Sequence, residues 1–275
     1  MVKKRLIFTL LYDNGFFVLS RNFTLQKVGD LQWLNRHYNF QRIAFSIDEL
    51  IMLDVSRKGR DVERFCEHVK AMTHGCFVPI AAGGGIRKVS DAKALLDSGA
   101  DKIVLNTVLH KDTDLVRELI STYGSQCIIG SVDLKKRAGS FHVMVESGLQ
   151  EIEISASEYI RKICDLGIGE VYLNSIDRDG TGQGYLLETL DLIEENIKTP
   201  VILAGGAGNH RHLLEGIRLD SVGAVATANL FNFIGTGLPS AREALIAECV
   251  PLAKWDQGRE IELENYFSQR AMKTS

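Results

Sequence analysis

Short apolar runs and longer amphipathic stretches alternate along nearly the whole chain. The apolar runs fall at Leu6–Leu10, Glu49–Asp54, Val78–Ala82, Lys102–Leu105, Ile128–Val132, Glu170–Ser175, Val201–Ala204 and Ala224–Thr227. Runs of four to six residues rich in Val, Ile, Leu and Ala, apolar at successive positions, suit strands buried on both faces. Between them, Asp61–Met72, Val89–Ser98, Asp114–Tyr123, Ser157–Leu166 and Leu187–Asn196 carry apolar residues at helical spacing. Eight strands alternating with helices predict a (β/α)8 TIM barrel.

The pattern also repeats. Pro79-Ile-Ala-Ala-Gly-Gly-Gly-Ile86, a helical run and a strand ending at Asn106-Thr107 return as Pro200-Val-Ile-Leu-Ala-Gly-Gly-Ala207, a helical run and Ser221–Leu230. The offset of about 121 to 122 residues aligns Glu49 with Glu170 and Leu11 with Asp133. Two half-barrels follow, about 1–123 and 124–245, within a single barrel over 1–255 and ahead of a polar tail at 256–275. Chemistry in this architecture sits at the C-terminal ends of the strands.

Two segments interrupt the alternation. Asn14 to Asp30 is too long for a plain βα turn and predicts a mobile loop or a short hairpin over the mouth. Lys135–Ile154, with alternating Phe141–Glu146 and then Gly148, predicts a small hairpin after the fifth strand. The opening Met1–Tyr12 has a basic start and an apolar run, but it meets Asp13-Asn14-Gly15 early and has no small-residue cleavage site. It reads as the first strand rather than a signal peptide.

Composition narrows the partners. The net charge is −3 with both signs mixed and no dense basic block, so neither nucleic acid nor an anionic membrane is an expected partner. Apolar residues make up 45% of the chain, enough for a large core. Five scattered cysteines (Cys66, Cys76, Cys127, Cys164 and Cys249) show no metal spacing. They predict unpaired buried thiols in a reducing cytoplasm, no metal and no cofactor.

The glycine turns point to anions. Gly83-Gly84-Gly85 and Gly205-Gly206 each follow a buried strand and precede a helix, where glycine permits positive φ and the helix offers free N–H groups. Asn106, Thr107, Thr227 and Asn229 close neighbouring strands with groups able to donate to phosphate. Asp133 ends an apolar strand and is placed for acid/base work, since burial raises a carboxyl pKa. Asp54, Asp177 and Asp179 occupy similar strand ends, and Asp54 could equally just order the mouth. The seven histidines lie in helix, turn or hairpin contexts and read as surface residues. At the opposite rim Arg5, Glu49, Lys102 and Glu170 start four strands with mixed charge, either solvating the barrel bottom or forming a salt-bridged ring.

With Val-Gly-Asp30, Asp48–Asp54, Gly-Gly-Gly-Ile86, Gly-Ala-Asp-Lys102, Asn-Thr107, Tyr-Gly-Ser-Gln126, Asn-Ser-Ile-Asp-Arg-Asp-Gly180 and Ala-Gly-Gly-Ala-Gly208, the chain resembles the cyclase subunit of imidazole glycerol phosphate synthase over roughly residues 3 to 233. The resemblance implies a glutaminase subunit docked at the barrel bottom, ammonia passing through the barrel, and a substrate with two phosphates at the top. It implies that Arg5, Glu49, Lys102 and Glu170 gate the ammonia and that Asp101 lies near the partner. Gly84, Gly85, Asn106, Thr107, Asp179, Gly180, Gly205, Gly206 and Thr227 would line the phosphate sites.

One departure matters. The family uses two aspartates, and the position matching the first is Leu11, with Asp13 two residues on a weak substitute. The lysine expected in the following loop is Leu19. This pattern is similar to the diverged members associated with acetamidino-sugar formation in bacterial surface-polysaccharide synthesis. Those act with a glutaminase-like subunit and a separate sugar amidotransferase. The expected function is ammonia supply for amidation of a nucleotide-sugar acid in O-antigen synthesis. The alternatives are a true cyclase of histidine biosynthesis, converting PRFAR and ammonia to imidazole glycerol phosphate and AICAR, and a non-catalytic phosphate-binding regulator of the glutaminase.

Overall fold

The computed structural model describes residues 3–38, 43, 45–229, 235–254 and 262. Eight parallel strands close a barrel: β1 (Arg5–Asp13), β4 (Glu49–Asp54), β5 (Ile80–Gly83), β6 (Lys102–Leu105), β7 (Ile128–Arg137), β10 (Glu170–Ser175), β11 (Val201–Ala204) and β12 (Val222–Thr227). They pair in that order, and β12 returns to β1 with Arg5 opposite Ala224. The chain is thus a (β/α)8 barrel. The polar tail expected at 256–275 lies outside the described residues, apart from Glu262.

Helices cover the outside: α1 (Leu31–His37), α2 (Val62–Gly75), α3 (Val89–Asp97), α4 (Thr107–Lys111), α5 (Thr113–Tyr123), α6 (Ala156–Asp165), α7 (His210–Ile217) and α8 (Gly237–Ala247). Their starts are written locally. Asp61 accepts from Arg64 N at 3.0 Å, and Asp112, Ser155 and Asn209 cap α5, α6 and α7 in the same way. Each such cap contributes roughly 1 kcal/mol by satisfying an orphan amide.

Strand alternation produces two cores. Along β1, Leu6, Phe8 and Leu10 pack outward against the helices, whereas Ile7 joins Ile51, Val104, Ile129, Tyr172 and Ile202 inside the barrel. Leu11 continues the inward series at the mouth.

Both interruptions are antiparallel additions. β1 runs on through a two-residue turn at Asn14 and Gly15, with φ of 47° and 94°, into β2 (Phe16–Arg21) and β3 (Thr24–Gly29). That is the primed-turn geometry that Asn-Gly favours. The segment from Asn14 to Asp30 is therefore a hairpin. After the fifth barrel strand, β7 continues into β8 (Ser140–Val145) and β9 (Gln150–Ser155), forming a three-stranded meander.

Two expectations need correction. Leu187–Asn196 is not an α-helix; Leu187–Leu192 forms a 3₁₀ helix. Leu187, Leu190 and Ile193 recur every three residues, which fits three residues per turn, and the buried Thr189 hydroxyl bonds back to Leu186 O at 2.7 Å. The five thiols are unpaired, but only Cys76 is buried, and Cys249 is exposed at a left-handed φ of 62° after α8. It leaves the helix at a C-terminal turn, where the chain reverses and no core covers it. No described helix is long and apolar enough to cross a membrane.

Candidate functional site

A cavity of about 670 Å³ opens at the C-terminal ends of the strands, within the usual range for a small-molecule site. Asp133 is among its lining residues. The residue is 8% exposed, and its two oxygens accept from different strand ends: Asn106 Nδ2 at 3.1 Å and Asn174 Nδ2 at 3.0 Å. Burial pushes its carboxyl up to about 7, the nearby Asp179 charge adds to this, and the two amide donors oppose it. Such a group exists in both protonation states near neutral pH, as a general acid/base requires.

The lining also holds an apolar group. Leu11 and Leu53 are register partners on β1 and β4, and both line the cavity with Leu19, Phe23 and Leu25 of the hairpin. Asp13 is not among the lining residues; it pairs with Phe16 in the hairpin, and its Oδ1 accepts from Asn14 at 3.1 Å. The register that continues past the barrel rim carries Asp13 out of the mouth.

The glycine turns are shaped for close approach. Gly84 and Gly206 have φ of 115° and 112°, and a Cβ on either would lie 2.2 Å from a carbonyl oxygen, Asp54 O or Gly184 O. Gly84, Gly85, Gly180, Gly205 and Gly206 line the cavity with Thr107 and Thr227. Thr107 Oγ1 accepts from Glu146 N at 3.1 Å, and the buried Thr227 donates to Ala207 O at 3.3 Å.

Two residues assigned to the phosphate sites are engaged elsewhere. The Asn106 amide also donates to Ser131 O, so it is committed to orienting Asp133. Asp179 accepts from Ser20 Oγ at 2.5 Å and Phe23 N at 3.1 Å, which pins the hairpin across the mouth. Burial raises its pKa against these two donors. Asp54 likewise serves the mouth's architecture, accepting from Ser56 N at 2.9 Å and pairing with Arg60 Nε at 3.0 Å.

At the other end of the axis the four charges close a ring. Arg5 Nη1 lies 2.6 Å from Glu49 Oε2 and its Nη2 contacts Glu170, while Lys102 Nζ lies 3.1 Å from Glu49 and 3.0 Å from Glu170. Each carboxylate therefore meets both cations. Burial raises the pKa of Glu49, and Lys102 and Arg5 work against that rise. Burial would lower Arg5, but the two glutamates hold it above its ordinary value. Asp101 lies exposed on this rim and accepts from Ile80 N at 2.8 Å, fixing the start of β5.

The sequence reading missed Asn174, Ser20 and the cations on the mouth. Asn174 was detectable, since it stands 121 residues after Leu53 just as Glu170 follows Glu49. Ser20 depends on where the hairpin lands, which no local pattern encodes.

The comparisons with known proteins place this barrel in a family. The model of a family described as "Histidine biosynthesis protein" matches residues 27–234. The chain belongs to this family. It is also 46% identical over 256 residues to "Putative imidazole glycerol phosphate synthase subunit hisF2" of Parasynechococcus marenigrum (strain WH8102), covering 93% of this chain and 95% of that one. Membership accords with the barrel; the family match begins at residue 27 and does not cover Leu11.

Proposed function

We propose that this chain is the synthase-type subunit of a glutamine amidotransferase complex. A glutaminase subunit docks on the rim that carries Asp101 and the ring of Arg5, Glu49, Lys102 and Glu170. Ammonia passes the ring and the barrel axis to a phosphorylated acceptor at the mouth. The acceptor we favour is a nucleotide-linked sugar acid of surface-polysaccharide synthesis, amidated with the help of a separate amidotransferase. The observation that carries this choice is Leu11 beside Leu53 where a second proton-transferring group would face Asp133. Leucine moves no proton, and loss of one member of an acid/base pair typically removes on the order of 10²- to 10⁴-fold of rate.

Ring and mouth then have different duties. The ring needs only matched charges and a small passage, which all four residues supply. Asp133 would take a proton from the entering ammonia or return one to a leaving group, one transfer at a time.

A second reading, cyclase of histidine biosynthesis, is favoured by the name of the relative and by Asp133 itself. A carboxyl with a pKa of about 7 can give and take protons at neutral pH without a partner. The deciding experiment is turnover of the histidine-pathway bisphosphate with saturating ammonium, for the native chain and for Leu11→Asp. We expect no product at ordinary enzyme rates from the native chain. Product from it would overturn the sugar-acid reading in favour of histidine biosynthesis.

A further inference from the structure

The inward-facing positions along the barrel axis change character in steps. On β10, Glu170 belongs to the charged ring, Tyr172 is the next residue to face inward, and Asn174 reaches Asp133 at the mouth. Two smaller hydroxyls join Tyr172. Ser131 is its register partner on β7, one inward position below Asp133, and Thr9 stands one inward position below Leu11 on β1. Thr9 and Ser131 are also repeat partners, 122 residues apart like Leu11 and Asp133. Tyr172 has no such counterpart, since Ile51 stands 121 residues before it.

The phenol crosses the barrel. β11 and β12 lie between β10 and β1 and present Ala204, Ala224 and Ala226 to the interior, which leaves the ring space to bring Tyr172 Oη within 3.4 Å of Thr9 Oγ1. Hydroxyls bond best at about 2.8 Å, so this contact is long and weak. Two hydroxyls sharing one bond leave an O–H unused, and Ser131 Oγ makes no hydrogen bond with the described residues. Thr9, Ser131 and Tyr172 are only 0%, 7% and 5% exposed, so this spare bonding capacity is buried. Ser131 and Tyr172 nevertheless line the cavity, so a molecule in the mouth can reach them.

We infer that Thr9, Ser131 and Tyr172 form an uncharged hydroxyl collar across the barrel axis, which holds one ammonia molecule, in its neutral form, directly below Asp133. This deepens the proposed function and rests on its reading of the axis as the route of ammonia. The chemistry of the collar fits that molecule. Each hydroxyl can both donate and accept, as can ammonia, and buried polar groups with spare capacity gain from a partner small enough to reach them. Burial holds the Tyr172 hydroxyl well above its ordinary pKa against the bond with Thr9, and the charges of Asp133 and Asp179 add to the rise, so it stays a neutral O–H. Around the collar the interior is hydrocarbon, with Ile7, Ile51, Ile129 and Ile202. Three neutral hydroxyls do not repay the desolvation of an ammonium ion there, so the cation is disfavoured.

Magnetic resonance of the whole chain in isotope-labelled ammonium chloride at alkaline pH tests this without an acceptor or a glutaminase. The native chain should show magnetisation transfer from ammonia protons to the Thr9 methyl group. Tyr172→Phe keeps the ring and removes one hydroxyl, and it should weaken that transfer about fivefold, the scale of one neutral hydrogen bond. Ser131→Ala should weaken it similarly. Tyr185→Phe removes a buried hydroxyl that donates to Ala226 O from outside the barrel, and it should match the native chain. Transfer from water protons alone, or equal transfer in the native chain, Tyr172→Phe and Ser131→Ala, would overturn the inference. Because the readout is ammonia at the collar, absence of turnover on every acceptor would count against the proposed function alone.

Discussion

The two half-barrels share a glutamate at one rim and differ at the corresponding positions of the other. At the N-terminal rim Glu49 and Glu170 are repeat partners, and each meets Arg5 and Lys102. At the mouth the corresponding register pairs are Leu11 with Leu53 in the first half and Asp133 with Asn174 in the second. One fold thus carries a charged ring below, whose glutamates are repeat partners while both cations come from the first half, and a mouth with a leucine pair on one side and Asp133 with Asn174 on the other. Backbone geometry places equivalent side chains equivalently, so the difference lies wholly in the residues installed there. A ring works by matched charges from whichever strand supplies them, whereas proton transfer needs one group of tuned pKa in a defined place.

Removing the titratable side of this comparison should have the largest effect. Asp133→Asn is expected to reduce turnover by on the order of 10²- to 10⁴-fold in the intact complex. It should also change the pH dependence of stability. The folded pKa of Asp133 lies above its ordinary value of 3.8, at about 7. Its contribution is therefore fully present below about pH 4 and is lost as pH rises through 7. Relative to Asp133→Asn, the native chain should lose up to roughly 4 kcal/mol between those limits. Denaturant titrations of both proteins from pH 4 to 8 check this, and parallel curves would mean that Asp133 is ionised throughout.

The charged ring breaks next. Glu49→Ala leaves Arg5 and Lys102 sharing Glu170 alone, at a cost of about 3 kcal/mol, the low end for an orphaned buried charge. The low end applies because the two cations are 24% and 20% exposed. Lys102→Ala should in addition raise the glutamine consumed per product formed in the complex with the glutaminase. Unchanged stoichiometry would reduce the ring to a structural plug.

Much of this comparison was legible before folding. Glu49, Asp133 and Leu11 sit in apolar runs whose spacing fixes strand, face and end, so one repeat offset located both rims. The four strand-start charges were open between a solvated barrel bottom and a ring, and the folded contacts close the ring. What lay beyond the sequence depended on long-range placement. Asn106 suited a phosphate site by position, but its amide is held by Asp133 on the next strand. Asp179 belonged to a specific motif, but its carboxylate is taken by a hairpin some 159 residues away. The 3₁₀ segment at Leu187–Leu192 failed for a local reason, a period of three read as 3.6.

That hairpin joins the unlike halves, and the smallest expected effect sharpens how. It leaves β1 in the first half and lands on the loop after β10, where Asn22 N donates to Asp179 O at 2.9 Å and Asn22 Nδ2 reaches Ile176 O and Asp177 O. Ser20→Ala removes one hydrogen bond to Asp179, worth about 1 kcal/mol. Amide exchange across residues 16–29 should then quicken about fivefold while the barrel strands stay protected. If Asp179 instead served the ligand as the family resemblance implies, Ser20→Ala would alter phosphate affinity and leave hairpin exchange unchanged. The carboxylate cannot fill both duties well, since a phosphate brought against an ionised Asp179 meets like charge. Exchange is therefore the readout that assigns it, and faster exchange makes Asp179 the point where the second half holds down the first.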